Sequence, residues 1–255
     1  MERENFFERL TAEDKVVQNP KQSDNSLRVL AWLAIALGIA VVAIGTLIYR
    51  QDWFQSISAS ATYFGTAYIL PFVLGGMSVY FWGYRGYAQI DRLFAKIMSV
   101  GAFLTAVFPC KTPYNSGEDK IGLLGFSPEV SSIFHGVGAI LLFLFLASWI
   151  FFLFTKTGKN AIKPKNKLCK KKLRNRVFFI AATVMFVGII FCVAGFVFYI
   201  LDLFDPQSSF PFVFWGEIIV LIPAGFAILV KAGDVPWLND EGEVGTLGTD
   251  GTKGE

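Results

Sequence analysis

Apolar and polar residues follow one another along this chain in long blocks. About 20 apolar residues in a helix, at about 1.5 Å each, cover a hydrocarbon core of about 30 Å. Five blocks reach that length and are almost free of charged residues, which predicts membrane-spanning helices over 29–49, 61–84, 130–155, 177–201 and 211–231. These are helices 1, 2, 4, 5 and 6 of the predicted arrangement.

A sixth, weaker block lies between helices 2 and 4. Only 97–110 is uncharged there, which is too short to span unless Arg92 and Lys96 reach the interface and the helix covers 92–110. Including this helix 3, with a cytoplasmic N-terminus, places only Arg50, Lys111 and Lys120 of the 23 Lys and Arg residues outside. Omitting it would separate the basic 156–176 loop from the N-terminus, so the positive-inside rule favours six spans.

Composition agrees with a membrane protein. Of the 255 residues 54 % are apolar and 17 % charged, and the mean hydropathy is +0.51, which excludes an ordinary soluble domain and a disordered chain. The predicted fold is therefore all-α and polytopic, in the cytoplasmic membrane, with both termini cytoplasmic. A polar segment, 1–27, without the features of a signal peptide precedes the transmembrane domain of 28–232, and 233–255 has the composition of a disordered tail.

Two ionisable residues stand out inside the apolar blocks. His135 lies about one and a half turns into helix 4 and Glu217 about two turns into helix 6, both counted from the outer side. Ionisable groups in spans usually face the protein interior or a wet cavity. We therefore expect an outward-facing polar pocket lined by helices 2, 3, 4 and 6, with these two residues anchoring a ligand. Ser60, Thr62, Tyr63 and Cys110 complete the predicted site. Other polar residues predicted at this level are Ser58, Ser131, Ser132, Asp202 and Asp205.

Three functions fit such a pocket. The first is binding of a lipid headgroup or a small polar ligand. The second is a transporter or channel, because Pro71 and Pro223 are predicted near the middle of helices 2 and 6, where each would free a backbone carbonyl. The third is a membrane-embedded lipid hydrolase or transferase, with Ser60 or Cys110 as a nucleophile activated by His135. Whether the protein is an enzyme stays open.

Cofactors and partners are less defined. A single histidine and the lack of helically spaced ligand pairs argue against a metal site, and no cofactor is identified by a motif. The basic loop 156–176 favours anionic lipid headgroups over nucleic acid, which would need a folded domain. Gly188 and Cys192, four residues apart, predict a close helix contact, either within the chain or in a homo-oligomer.

Several short motifs resemble a known group of membrane proteins. They are Ser-Ala-Ser-Ala-Thr-Tyr at 58–63, Phe-Pro-Cys at 108–110, His135, Phe-Trp-Gly-Glu at 214–217, and Lys231. In these the chain resembles a family of small six-span, bacterial-type membrane proteins, and through it the damage-regulated autophagy modulator superfamily. The resemblance covers about 28–231 and implies the six-span fold. Some members of that superfamily handle or sense lipids, and most have no assigned activity.

Overall fold

The computed structural model describes residues 20–43, 56–62, 67–84, 88–112, 115, 117–155, 170–201, 203 and 211–239. Over these residues the chain is all-α and contains no strand, only an isolated bridge between Ile121 and Phe126. The α-helices are α1 (Pro20–Ala43), α2 (Ile69–Gly83), α3 (Gln89–Val107), α4 (Pro128–Phe152), α5 (Lys171–Ile200) and α6 (Phe212–Lys231). Two short 3-10 helices cover Ser58–Thr62 and Pro236–Leu238.

Within these ranges, three helices are long and apolar enough to cross a membrane. They are α4, α5 over Lys171–Phe198, and α6. The apolar parts of α1 and α2, Leu27–Leu37 and Ile69–Gly83, are shorter. Length and composition therefore support a membrane-embedded helical protein.

Several helix ends lie outside the apolar blocks that predict the helices. α1 begins with Pro20 and α5 with Lys171, nine and six residues earlier than expected. Proline is favoured at a first helical position, and lysine and arginine are good helix formers, so both helices continue into polar sequence. Hydrophobicity locates the span, and local backbone chemistry locates the helix end.

The second predicted helix is wrong in its first third. The prediction of 61–84 places a single helix there, but the structure has a 3-10 helix at Ser58–Thr62 and starts α2 at Ile69. Pro71 therefore lies in the first turn of α2 and not near its middle. Proline is tolerated there because the N–H groups of a first turn have no partner within the helix. Pro223 lies near the middle of α6, as expected.

Consecutive helices run in opposite directions and pack through small residues. α3 meets α4 where Gly101 faces Gly138, and α5 meets α6 where Gly188 faces Gly216. A Cβ atom on Gly188 would lie 2.8 Å from the Gly216 carbonyl oxygen, so the predicted close contact near Gly188 is formed within the chain. α1 and α6 are also neighbours, since Gly225 of α6 packs against Ala31 of α1.

The two ends of the bundle differ in charge. At one end, which we call the basic end, Arg28 pairs with Asp234 at 2.5 Å and Lys231 donates to the Phe154 carbonyl at 3.3 Å. Lys170 and Arg174 of the same end donate to the backbone carbonyls of Trp237 and Leu238, each at 3.0 Å. We call the opposite end, which carries Ser58, Cys110 and Glu129, the pocket end.

The start of the expected disordered tail is ordered. Residues 233–239 turn back at Gly233, which has a positive φ of 79°, and bury Val235 and Leu238. The sequence gives little sign of this because two apolar side chains and a few carbonyls, not a long apolar run, hold the segment. Residues 240–255, and 1–19 of the polar N-terminal segment, lie outside the described part of the chain.

Candidate functional site

A cavity of about 400 Å³ opens at the pocket end between α4, α5 and α6. Its size lies in the range of small-molecule sites. Two further segments complete its wall: the 3-10 helix before α2 with the residues that precede it, and the irregular segment after α3. The lining is mostly apolar, with polar groups contributed by Ser56, Ser58, Cys110, Lys111, Thr112, Glu129, Ser132, His135, Cys192 and Glu217.

Glu217 is the acidic side chain deepest along the helices that line this cavity. It is buried in α6, five residues from the helix start, and its Oε1 accepts a hydrogen bond from the Ser58 hydroxyl at 2.9 Å. Its Oε2 accepts from the backbone N–H of Ile57. A buried carboxylate is costly without such donors, so these two bonds hold the side chain in place.

The donors to Glu217 are oriented by the 3-10 helix around them. The Ser56 hydroxyl accepts from the Ala59 N–H at 2.8 Å, and the Ser60 hydroxyl donates to the Ile57 carbonyl at 2.5 Å. Serine side chains that bond to nearby backbone stabilise such turns in place of a regular helix. This explains why the chain leaves the predicted helix here and presents an N–H and a hydroxyl to α6.

His135 holds the end of α3. Its Nδ1 lies 2.7 Å from the Phe108 carbonyl oxygen, and because a carbonyl can only accept, Nδ1 carries the proton. The imidazole also interacts with the carbonyl of Thr105. Pro109 has no N–H to donate to the Thr105 carbonyl four residues earlier, and α3 ends before any N–H reaches the Phe108 carbonyl, so a side chain from α4 caps both.

The first turns of α4 fix the segment that follows α3. Ser131 donates to the Pro109 carbonyl at 2.7 Å, and Ser132 accepts from the Lys111 N–H at 2.6 Å. At the rim, Lys111 and Glu129 form an ion pair at 2.8 Å. Polar residues of α4 that face the cavity therefore also build its wall.

Glu217 and His135 are brought to the same cavity, as expected, but with separate partners. Over the described residues, no hydrogen bond joins the two side chains; one is held by the 57–58 segment and the other by the end of α3. The sequence places both near one end because depth follows from residue count. Their partners depend on backbone groups that hydrophobicity does not reveal.

The other predicted site residues do not all line the cavity. Cys110 lines the cavity. Ser60 is fully buried, does not line it, and shapes the 3-10 helix through its bond to Ile57. The backbone of Thr62 belongs to that 3-10 helix, whereas its side chain and the whole of Tyr63 lie outside the described residues.

The predicted site leaves out two contributions. Ser58, which the sequence places at the pocket level but not among the chosen site residues, is the serine that reaches Glu217. α5 also lines the cavity, although the predicted pocket does not include it. No lining residue comes from α2 or α3, which the predicted pocket does include. The lining residues of α5 are Ile189, Cys192, Val193, Gly195, Phe196 and Phe198. The apolar pattern of α5 does not indicate that it lines a cavity, because a helix face towards an apolar cavity and one towards lipid have the same composition.

The surroundings of Cys110, Ser60 and His135 do not favour the hydrolase hypothesis. Burial raises the pKa of the Cys110 thiol to about 12, so at neutral pH it is protonated and a weak nucleophile. The Ser60 hydroxyl is engaged with backbone, and Nδ1 of His135 with Phe108. In the part of the chain that the structure describes, no group of three or more His, Cys, Asp or Glu side chains could hold a metal ion.

No family model, curated protein or solved structure matches this chain. The resemblance to the damage-regulated autophagy modulator superfamily therefore stays a prediction, and the argument for function depends on the site itself.

Proposed function

We propose that this protein crosses a cytoplasmic membrane six times, with both termini in the cytoplasm and the cavity facing outward. The alternating directions of α1 to α6 support an even number of crossings. The basic end carries Arg28, Lys170, Arg174 and Lys231, which is the charge expected at a cytoplasmic face.

We further propose that the cavity binds a lipid headgroup or a small polar ligand. The observation that carries this proposal is the Glu217 carboxylate, buried at the wall of a mostly apolar cavity and held by Ser58 and Ile57. A few fixed polar groups in an apolar pocket are typical of ligand sites. Because a carboxylate only accepts, the ligand presents a hydroxyl or an ammonium group to it.

The test is ligand-induced thermal stabilisation of the purified protein with a panel of lipids and soluble polar compounds. Glu217→Gln and Ser58→Ala should abolish the stabilisation given by whichever compound raises the melting temperature of the wild type, because a bond to a charged group contributes about 1.5–3 kcal/mol. Ser99→Ala is the matched control: its hydroxyl is buried and bonded to Ser78, away from the cavity.

Retention of full stabilisation by Glu217→Gln would contradict the proposal. Loss of stabilisation in Ser99→Ala as well would point to a general weakening of the fold and would count against it too.

Transport is a second candidate because Pro223 lies inside α6, the helix that carries Glu217. It leaves the Ile219 carbonyl without its helical N–H partner, a feature of helices that line transport paths. Flux into liposomes that contain the protein, reduced by Pro223→Ala, would support transport over binding alone.

A further inference from the structure

The side wall of the cavity is open between α4 and α5. Ile140, Val193 and Phe196 line the cavity and are at the same time 56 %, 49 % and 59 % exposed. α5 packs mainly against α6 and much less against α4, which leaves this gap. Both helices are long and apolar enough to span, so the gap faces the hydrocarbon of a surrounding bilayer.

The α4 face of the lining changes from polar to apolar with depth. Its residues are Glu129, Ser132 and His135 near the rim, then Gly136, and Ala139, Ile140 and Phe143 below. From Glu129 to Phe143 the helix rises about 21 Å, at about 1.5 Å per residue. The α5 lining is apolar apart from Cys192, from Phe198 near the rim down to Ile189. A lipid in the leaflet of the pocket end has its polar and apolar parts in the order of the α4 face.

We infer that the ligand is a membrane lipid whose headgroup carries a hydroxyl or ammonium donor, and that it moves sideways from the leaflet into the cavity through the gap between α4 and α5. This rests on the proposed binding function and names its ligand class and route. The headgroup donates to Glu217, and an apolar chain lies along Ile140 and Val193. An anionic headgroup without donors is disfavoured, because a buried carboxylate lines the cavity.

The ligand class is tested by native mass spectrometry of the detergent-solubilised full chain, titrated with dioleoylglycerol or dioleoylphosphatidylethanolamine. Glycerol and phosphoethanolamine, the corresponding soluble headgroups, are titrated in parallel. We expect the lipids to bind and the soluble headgroups to bind at least about tenfold more weakly, since they lack the apolar contacts. Equal affinity of lipid and soluble headgroup would overturn the inference.

The route is tested with bulky substitutions in the gap. Ile140→Trp and Val193→Trp should each weaken binding of the same two lipids by about tenfold or more, because the indole occupies the space of the chain. Val137→Trp and Ile190→Trp are matched controls. They lie three residues earlier on the same helices, are 47 % and 64 % exposed, and do not line the cavity.

The outcomes separate this inference from the function on which it rests. Normal binding by both gap variants, with loss in Glu217→Gln, would remove the lateral route and keep the binding site. Normal binding by Glu217→Gln would remove the binding site itself. Equal weakening in gap variants and controls would show that bulk on either helix is the cause, and would overturn the route.

Discussion

At the scale of single residues, His135 and Glu217 differ in what depends on them. Both are buried and both line the cavity. Glu217 is held by bonds from the 57–58 segment, whereas His135 completes the end of α3 by donating to the Phe108 carbonyl. Residue type and depth, which the sequence provides, do not distinguish these roles.

His135→Ala is expected to lower the free energy of unfolding by about 1–3 kcal/mol, because it leaves the Phe108 carbonyl without its donor. The measurement is unfolding in detergent, followed by circular dichroism. Thr183→Ala is the control: its hydroxyl is exposed and donates to the Phe179 carbonyl in the same helix. A loss of ligand binding in His135→Ala at unchanged stability would contradict a capping role.

The residues of the site can therefore be predicted from the sequence only in part. Counting residues along apolar blocks brings Glu217, His135 and Cys110 to one end, which the structure supports. It cannot identify Ser58 over Ser60 as the donor to Glu217, because that choice depends on the 3-10 helix and not on hydrophobicity.

At the scale of elements, glycines set the distance between α3 and α4. A Cβ atom on Gly138 would lie 2.7 Å from the Thr105 hydroxyl oxygen and 2.8 Å from the Gly101 carbonyl oxygen. At Gly136, two residues earlier on α4, a Cβ atom would meet nothing within 4 Å. The two positions differ in helix packing although they are close in sequence.

Gly138→Ala should therefore destabilise the protein by about 1–3 kcal/mol through overpacking. Gly136→Ala should be neutral or stabilising by up to about 1 kcal/mol, because alanine is the better helix former. The free energy of unfolding of both variants in detergent checks this. Equal stability of the two variants would mean that α3 and α4 are not packed through this contact.

Three of the six elements are well predicted. α4 and α6 begin within two residues of their predicted starts, and α3, the weakest block, is present as a helix. The prediction is wrong where short-range hydrogen bonds override hydrophobicity, as at 58–62, where serine hydroxyls stabilise a 3-10 helix.

At the scale of the whole molecule, the arrangement of charges and helix directions predicts a definite orientation. Asp119 lies in the exposed segment between α3 and α4 at the pocket end, and Lys172 is exposed at the basic end, near the start of α5. With six spans and cytoplasmic termini, these two positions are on opposite sides of the membrane.

A membrane-impermeant maleimide tests this orientation in a variant whose three native cysteines are replaced by alanine. Asp119→Cys should be labelled in intact cells, and Lys172→Cys only after permeabilisation. Labelling of both positions in intact cells would contradict the proposed crossings, and reversed labelling would place the cavity on the cytoplasmic side.

The bond between Glu217 and the 57–58 segment joins parts of the chain 160 and 159 residues apart. Chains are synthesised from the N-terminus, so the turn around Ser58 is made long before α6. Until α6 is inserted beside α1, the Ile57 N–H and the Ser58 hydroxyl lack their acceptor and the cavity lacks a wall. The site is therefore complete only once α6 has been made and inserted, and a chain that lacks α6 has no place to receive a ligand.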